Sequence, residues 1–183
     1  MNRASPTTAA LAACLALWAG CASATTSVNE LWLDSARPQA TLGKTLVVAL
    51  LRDPHLAVKL EQEWASQLRA RGVDVTPIES LGPVVRPAGR DAVEALVRQH
   101  GFNTVLVSKV LDIKQVDRDP PSSQVAVVET KLYDASKGAP FWSAQTDTFL
   151  AGASADDLKR PGNEIVRVFV ETLIAEMAKA RLL

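Results

Sequence analysis

Cysteine is nearly missing from this chain of 183 residues: it occurs twice, as Cys14 and Cys21, both close to the N-terminus. Everything that follows is without a disulfide, so its stability has to come from packing. Histidine is equally scarce. His55 and His100 are the two present, and neither has a carboxylate or a second histidine at metal-ligand spacing, so no metal or cofactor is expected. An excess of either charge is also lacking. With 20 basic and 20 acidic residues, the chain does not offer the basic surface of a nucleic-acid binder. The one long apolar run, residues 9–19, falls short of the ~20 residues that span a bilayer.

That run decides the address. Arg3 is the only charge before it, and small residues, Ala19 and Gly20, follow Trp18. This is the layout of a secretory signal over residues 1–20. Cys21 then supplies the one side chain nucleophilic enough to take a lipid as a thioether. The stretch Leu17-Trp18-Ala19-Gly20-Cys21 resembles the bacterial lipobox, with Trp18 where that pattern most often has leucine. The resemblance implies that Cys21 becomes the first residue of the mature chain and carries acyl groups. Ala22 in place of an aspartate implies sorting to the outer membrane. A second cleavage site competes: Ala22-Ser23-Ala24 suits the ordinary signal peptidase, which would release a soluble protein beginning at Thr25.

Three segments follow from this. Residues 1–20 form the signal and 21–42 a lipidated N-terminus and tether, small and polar apart from Leu31-Trp32-Leu33. Residues 43–183 form one α/β domain, long enough to bury roughly 70 % of its unfolded surface. Trp32 in the tether suits a partner anchor, but a lone aromatic near a domain edge more often folds back on its own core.

From Lys44 the pattern becomes regular. Leu46 to Leu51 is continuously apolar, as in a strand buried on both faces. Asp53 and Pro54 open a helix in which Leu56, Leu60, Trp64 and Leu68 share one face, and Gly72 ends it. A strand over 73–78 comes next, then a Pro/Gly-rich loop over 79–90. Asp91 begins a second helix, with Ala92, Val93, Leu96 and Val97 inward and Gly101 as its stop. A long strand covers 103–116. Residues 124–133 and 140–149 pair as a hairpin across the turn at 134–138. Two apolar rows, Ile165/Phe169/Leu173/Met177 and Val166/Val170/Ile174, mark a closing helix over 163–181. The order βαβαβββα predicts an α/β class domain, a single mixed-sheet sandwich with helices packed on the sheet.

No set of residues here runs a reaction. Gly43-Lys44-Thr45 looks like the tail of a phosphate-binding loop, but its first glycine would fall on Pro38 and a strand follows instead of a helix. Lys44 is more simply a solvated strand start. Gly152-Ala153-Ser154-Ala155-Asp156 half matches a nucleophile elbow, yet both histidines precede it; Ser154 and Asp157 fit a capping box better. His55 at a helix start and His100 at a helix end suit structural roles. Glu61/Glu63 and Asp156/Asp157 are adjacent pairs that do not share a helix face, and are expected to be solvated. Trp64 and Trp142 lie on core-facing patterns.

The hairpin carries a further resemblance. Glu129-Thr130-Lys131-Leu132-Tyr133-Asp134, Gly138, Trp142-Ser143, Thr146, Thr148 and Phe149, with Leu68 to Val73 before them, resemble small lipoproteins of proteobacteria. The fold this implies is similar to that of peptidoglycan-synthase activator lipoproteins and the curli-secretion lipoprotein. The expectation is a non-catalytic module, anchored in the outer membrane facing the periplasm, that binds an envelope protein. The alternative is a soluble periplasmic protein that binds a small envelope molecule in an apolar pocket at the sheet edge. The loop at 82–89 and the turn at 134–138 are the exposed places where recognition is expected first.

Overall fold

β2 (Thr45–Leu50) runs through the middle of the domain with apolar side chains on both faces. Its odd positions, Val47 and Ala49, join one core cluster, and its even positions, Leu46 and Val48, join another. A strand buried in this way needs a layer on each side. The computed structural model describes residues 24–36, 42–82, 90–117, 123–150, 152–160 and 163–183, and those layers are seen within them.

α1 (Pro54–Arg69) and α4 (Glu164–Lys179) cover the first face. Asp53 caps α1 through its carboxylate, which accepts from the amides of His55 and Leu56, and Pro54 takes the first turn, where its missing N–H costs nothing. Leu60, Trp64 and Leu68 are buried, as the four-residue spacing predicts. Trp64 meets Phe169 of α4 edge-on, with ring centroids 6.2 Å apart. Its indole N–H donates to the Ser108 hydroxyl at 3.2 Å, and Ser108 shares a 3.0 Å hydrogen bond with Thr130. The one strong donor of the Trp64 side chain is thereby satisfied. Asn163 caps α4 through the amides of Ile165 and Val166. Both apolar rows read in the sequence turn toward the sheet.

α2 (Arg90–His100) packs on the second face through Val97, with Val93 and Leu96 half-buried beside it. Ala92, expected inward, is exposed. β3 (Val75–Pro77), β4 (Thr104–Gln115), β5 (Gln124–Asp134) and β6 (Ala139–Phe149) complete the predicted set. With α3 (Ala155–Leu158) short and capped by Ser154, the domain is the single mixed α/β sheet that the pattern predicts.

The sheet holds one strand more than expected. Within the segment read as a tether, Thr25–Leu33 forms β1, antiparallel to β6, and the strand order is β1-β6-β5-β4-β2-β3. The local sequence lacks alternation because main-chain bonding to the open edge of β6 recruits the segment, and side-chain pattern contributes little. Trp32, expected to fold back on the core, is 47 % exposed on this edge. The signal segment and Cys21 lie outside the described residues.

β2 also explains a misread glutamate. The Thr45 amide donates to Asp74 on the β3 side, so the amides of Val47 and Ala49 point the same way. β3 stops at Pro77, opposite Val47. The amide of Ala49, one step beyond, donates to Oε1 of Glu61 at 2.8 Å. Glu61, expected to be solvated, is fully buried, while its neighbour Glu63 is half-exposed and accepts from Gln67. A helix side chain thus continues the edge where a strand ends. Glu61→Leu should lower the free energy of unfolding by about 1–3 kcal/mol, the cost of stripping a buried amide of its acceptor. Glu61→Gln, which keeps a carbonyl oxygen in place, should cost clearly less; urea denaturation of both variants checks this.

Candidate binding surfaces

One concavity lies on the α2 face. Val93 and Val97 of α2 face Val48, Val105 and Val107 of the sheet across a cavity of about 390 Å³, with Tyr133 at one side. Branched aliphatic chains line it because β2 and β4 place alternate residues on this face and α2 sits over only part of them. The mouth is polar. Arg90 donates through Nε to Glu94 at 2.6 Å and through a terminal nitrogen to the Gly138 carbonyl at 3.3 Å. The Glu94 carboxylate, by accepting that bond, holds the Arg90 guanidinium further above its already high value. Arg90 pairs with Glu94 at the mouth and Asp134 adds a second carboxylate there, while the walls are aliphatic.

The hairpin turn forms part of this rim. Asp134 accepts from the amides of Ser136 and Lys137 through one carboxylate oxygen. Gly138 then takes a left-handed conformation, φ +62°. Of the two places where recognition was expected, the turn at 134–138 does border the cavity; residues 83–89 of the loop lie outside the described residues.

The other singled-out residues serve the framework. Lys44 donates from Nζ to the His100 carbonyl at 2.8 Å, which places a cation on the last turn of α2, and its ammonium stands 5.1 Å from the centre of the Phe102 ring. It is half-buried and tied to the helix end, so it is more than a solvated strand start. Gly43 is required by a close approach: a Cβ there would stand 2.7 Å from the Asn103 side-chain oxygen, which accepts from the Lys44 amide. Ser154 and Asp157 form the expected capping box, and this hydrogen bonding holds the Asp157 carboxyl below its usual range. Asp53 is lowered chiefly by Lys159, 2.9 Å away, which also pairs with Asp156. His55 is exposed at the start of α1 and His100 half-buried at the end of α2. Trp64 and Trp142 are fully buried, as expected. Among the described residues no group of three or more His, Cys, Asp or Glu is placed to hold a metal ion.

The sheet edges are the second feature, and the sequence pattern does not reveal them. Leu31, Trp32 and Leu33 on β1, and Leu111 and Ile113 on the far end of β4, are each more than two-fifths exposed. Exposed apolar side chains on unpaired strands mark places where another chain adds.

No protein-family model and no curated protein matches the chain. Solved structures do. The chain is similar to the PelC dodecamer from Paraburkholderia phytofirmans, with 19 % identity and a TM-score of 0.51 over 86 % of this chain and 98 % of that one. It is also similar, at 17 % identity and a TM-score of 0.47, to lipoprotein GNA1162 from Neisseria meningitidis, over 75 % of this chain and 99 % of that one. The likeness to PelC is one of fold.

The rim of the cavity is sensitive to a single methyl group. A Cβ on Gly138 would stand 2.7 Å from the Arg90 guanidinium and force a side chain into the left-handed region. Gly138→Ala should therefore destabilise the domain by about 1–2 kcal/mol, measured by chemical denaturation against the parent chain.

Proposed function

We propose that this chain is a lipoprotein anchored through Cys21 in the outer membrane, facing the periplasm, and that its domain is a non-catalytic assembly module of the cell envelope. The observation that carries this reading is the pair of apolar strand edges, on β1 and on β4, left open among the described residues. Support comes from the fold shared with PelC, which forms a dodecamer. No helix of the described residues is long and apolar enough to cross a membrane, and acyl chains on Cys21 supply the attachment. Each buried methylene contributes ~0.8 kcal/mol, and more than one chain makes release slow. The side chains a hydrolase would use are engaged elsewhere, Ser154 with Asp157 at 2.7 Å.

Intact mass of the mature protein from fractionated envelopes tests the anchor. A chain beginning at Cys21 with added acyl mass is expected, and Cys21→Ser should remove both that mass and the membrane association. An unmodified chain beginning at Thr25 would overturn the anchor.

A second reading rests on the cavity under α2. A soluble periplasmic form would bind a small envelope molecule there. At ~30 Å³ for each water-sized group, the space holds about a dozen heavy atoms, which suits a short neutral amphiphile. A thermal-shift series with 1-decanol and shorter alcohols checks it: the melting temperature should rise with concentration and chain length by mass action. A flat series would remove the second reading.

A further inference from the structure

We propose that the open edge of β1 in one copy of this chain pairs with the open distal edge of β4 in the next, so that one continuous sheet runs through successive copies. The inference rests on the assembly reading above and names the partner as a second copy. Strand directions allow it. β1 is antiparallel to β6, β6 to β5, and β5 to β4, so β1 is antiparallel to β4 within the chain. Two copies placed side by side in the same orientation therefore bring β1 of one antiparallel to β4 of the other. Such a contact uses different surfaces on the two copies and repeats.

Among the described residues the edge of β4 is open where it is needed. β2 accompanies β4 only as far as Lys109, while β5 continues along its other side to Gln115. Hydrogen-bond parity then selects the register. The Asp34 amide donates to Phe141 of β6, so Trp32 and Asp34 bond inward and the amides of Leu31 and Leu33 point outward. The Val116 amide donates to Ser123 next to β5, so Lys114 and Val116 bond inward and Ile113 points outward. Among the described residues its amide donates to no neighbouring strand and instead donates to the carboxylate of Asp112 at 2.8 Å. Leu31 opposite Ile113 thus forms a mutually hydrogen-bonded antiparallel pair.

Faces and charges agree with the same register. Leu31 lies opposite Ala144, and Ile113 opposite Ala126, both on the face covered by α1 and α4. Paired across copies, they share that face. One step along, Glu30 meets Lys114 on the other face, and Leu33 meets Leu111 at the bulge of β4. Neither Glu30 nor Lys114 has an ion-pair partner among the described residues. Trp32 comes diagonal to Lys114, within reach of a cation–π contact. A symmetric pairing of β1 with β1 that sets Leu31 against Leu33 would instead oppose Glu30 to Asp34, two like charges.

The test blocks each edge in turn in the full chain, purified in detergent and followed by sedimentation velocity. Proline at an outward amide removes the edge donor without breaking the inner ladder. The parent chain should sediment as an assembly larger than a dimer. Leu31→Pro alone and Ile113→Pro alone should each sediment as a monomer with an unchanged circular dichroism spectrum, and mixing the two should restore a one-to-one dimer, because each keeps the edge the other lacks. As a variant that leaves the backbone untouched, Glu30→Lys and Lys114→Glu should each weaken association several-fold, and the double exchange should restore it. A monomeric parent chain overturns the inference, and so does self-association of Ile113→Pro with no rescue on mixing, the result of symmetric β1 pairing. Failure here with acyl mass still on Cys21 leaves the anchored lipoprotein standing; loss of the acyl mass with assembly intact does the reverse.

Discussion

A strand buried on both faces still has to satisfy its two edges, and in β2 one edge outruns its neighbour. β3 accompanies it for three residues only. The carboxylate of Glu61 takes over at Ala49, which fixes how α1 lies on the sheet and sets Trp64 over Ser108. α4 then packs against α1 and reaches across to β6 and β1. The whole first layer is thus referred to one main-chain bond at the end of a short strand. A buried carboxylate is costly to desolvate, and the hydrogen bond from the Ala49 amide offsets part of that cost while giving the amide its acceptor.

The second face is built differently. α2 covers only the β2–β4 side, tied at its end by Lys44 and at its start by Arg90. An undersized cover leaves a cavity between aliphatic walls. The two layers therefore differ in what they offer: the α1/α4 layer is closed packing, and the α2 layer has room in it. Openness also survives in the plane of the sheet. Among the described residues main-chain groups outnumber partners at one end of the strand order, along the exposed β1, and on the tip of β4 where it runs past β2 beyond Lys109. A sheet with two such edges of complementary charge offers a place for another strand to add.

Much of the fold was legible. The apolar run of β2, the four-residue spacing in α1, the double row in α4 and the Asp134–Gly138 turn each impose a local structure through a single physical preference. Each appears where expected. What escaped was decided by partners far away in the chain. β1 has no strand pattern of its own and is a strand because β6 has an edge to share. Glu61 reads as one of a solvated pair because nothing local announces that β3 stops at Pro77. Lys44 reads as the start of a strand because His100, whose carbonyl it meets, is 56 positions away.

Sequence alone determined the class of the domain, the order of its main elements and the absence of disulfides after Cys21, since these depend on periodicity, turn chemistry and composition. The proposal of Cys21 as a lipid site likewise rests on the chemistry of a short stretch read without its surroundings. The tertiary structure alone decided which strands stand at the edges, that Trp32 faces outward, and that Glu61 is buried. Edge and burial are properties of a neighbour's absence or presence, and a chain read along its length carries no record of what lies beside it.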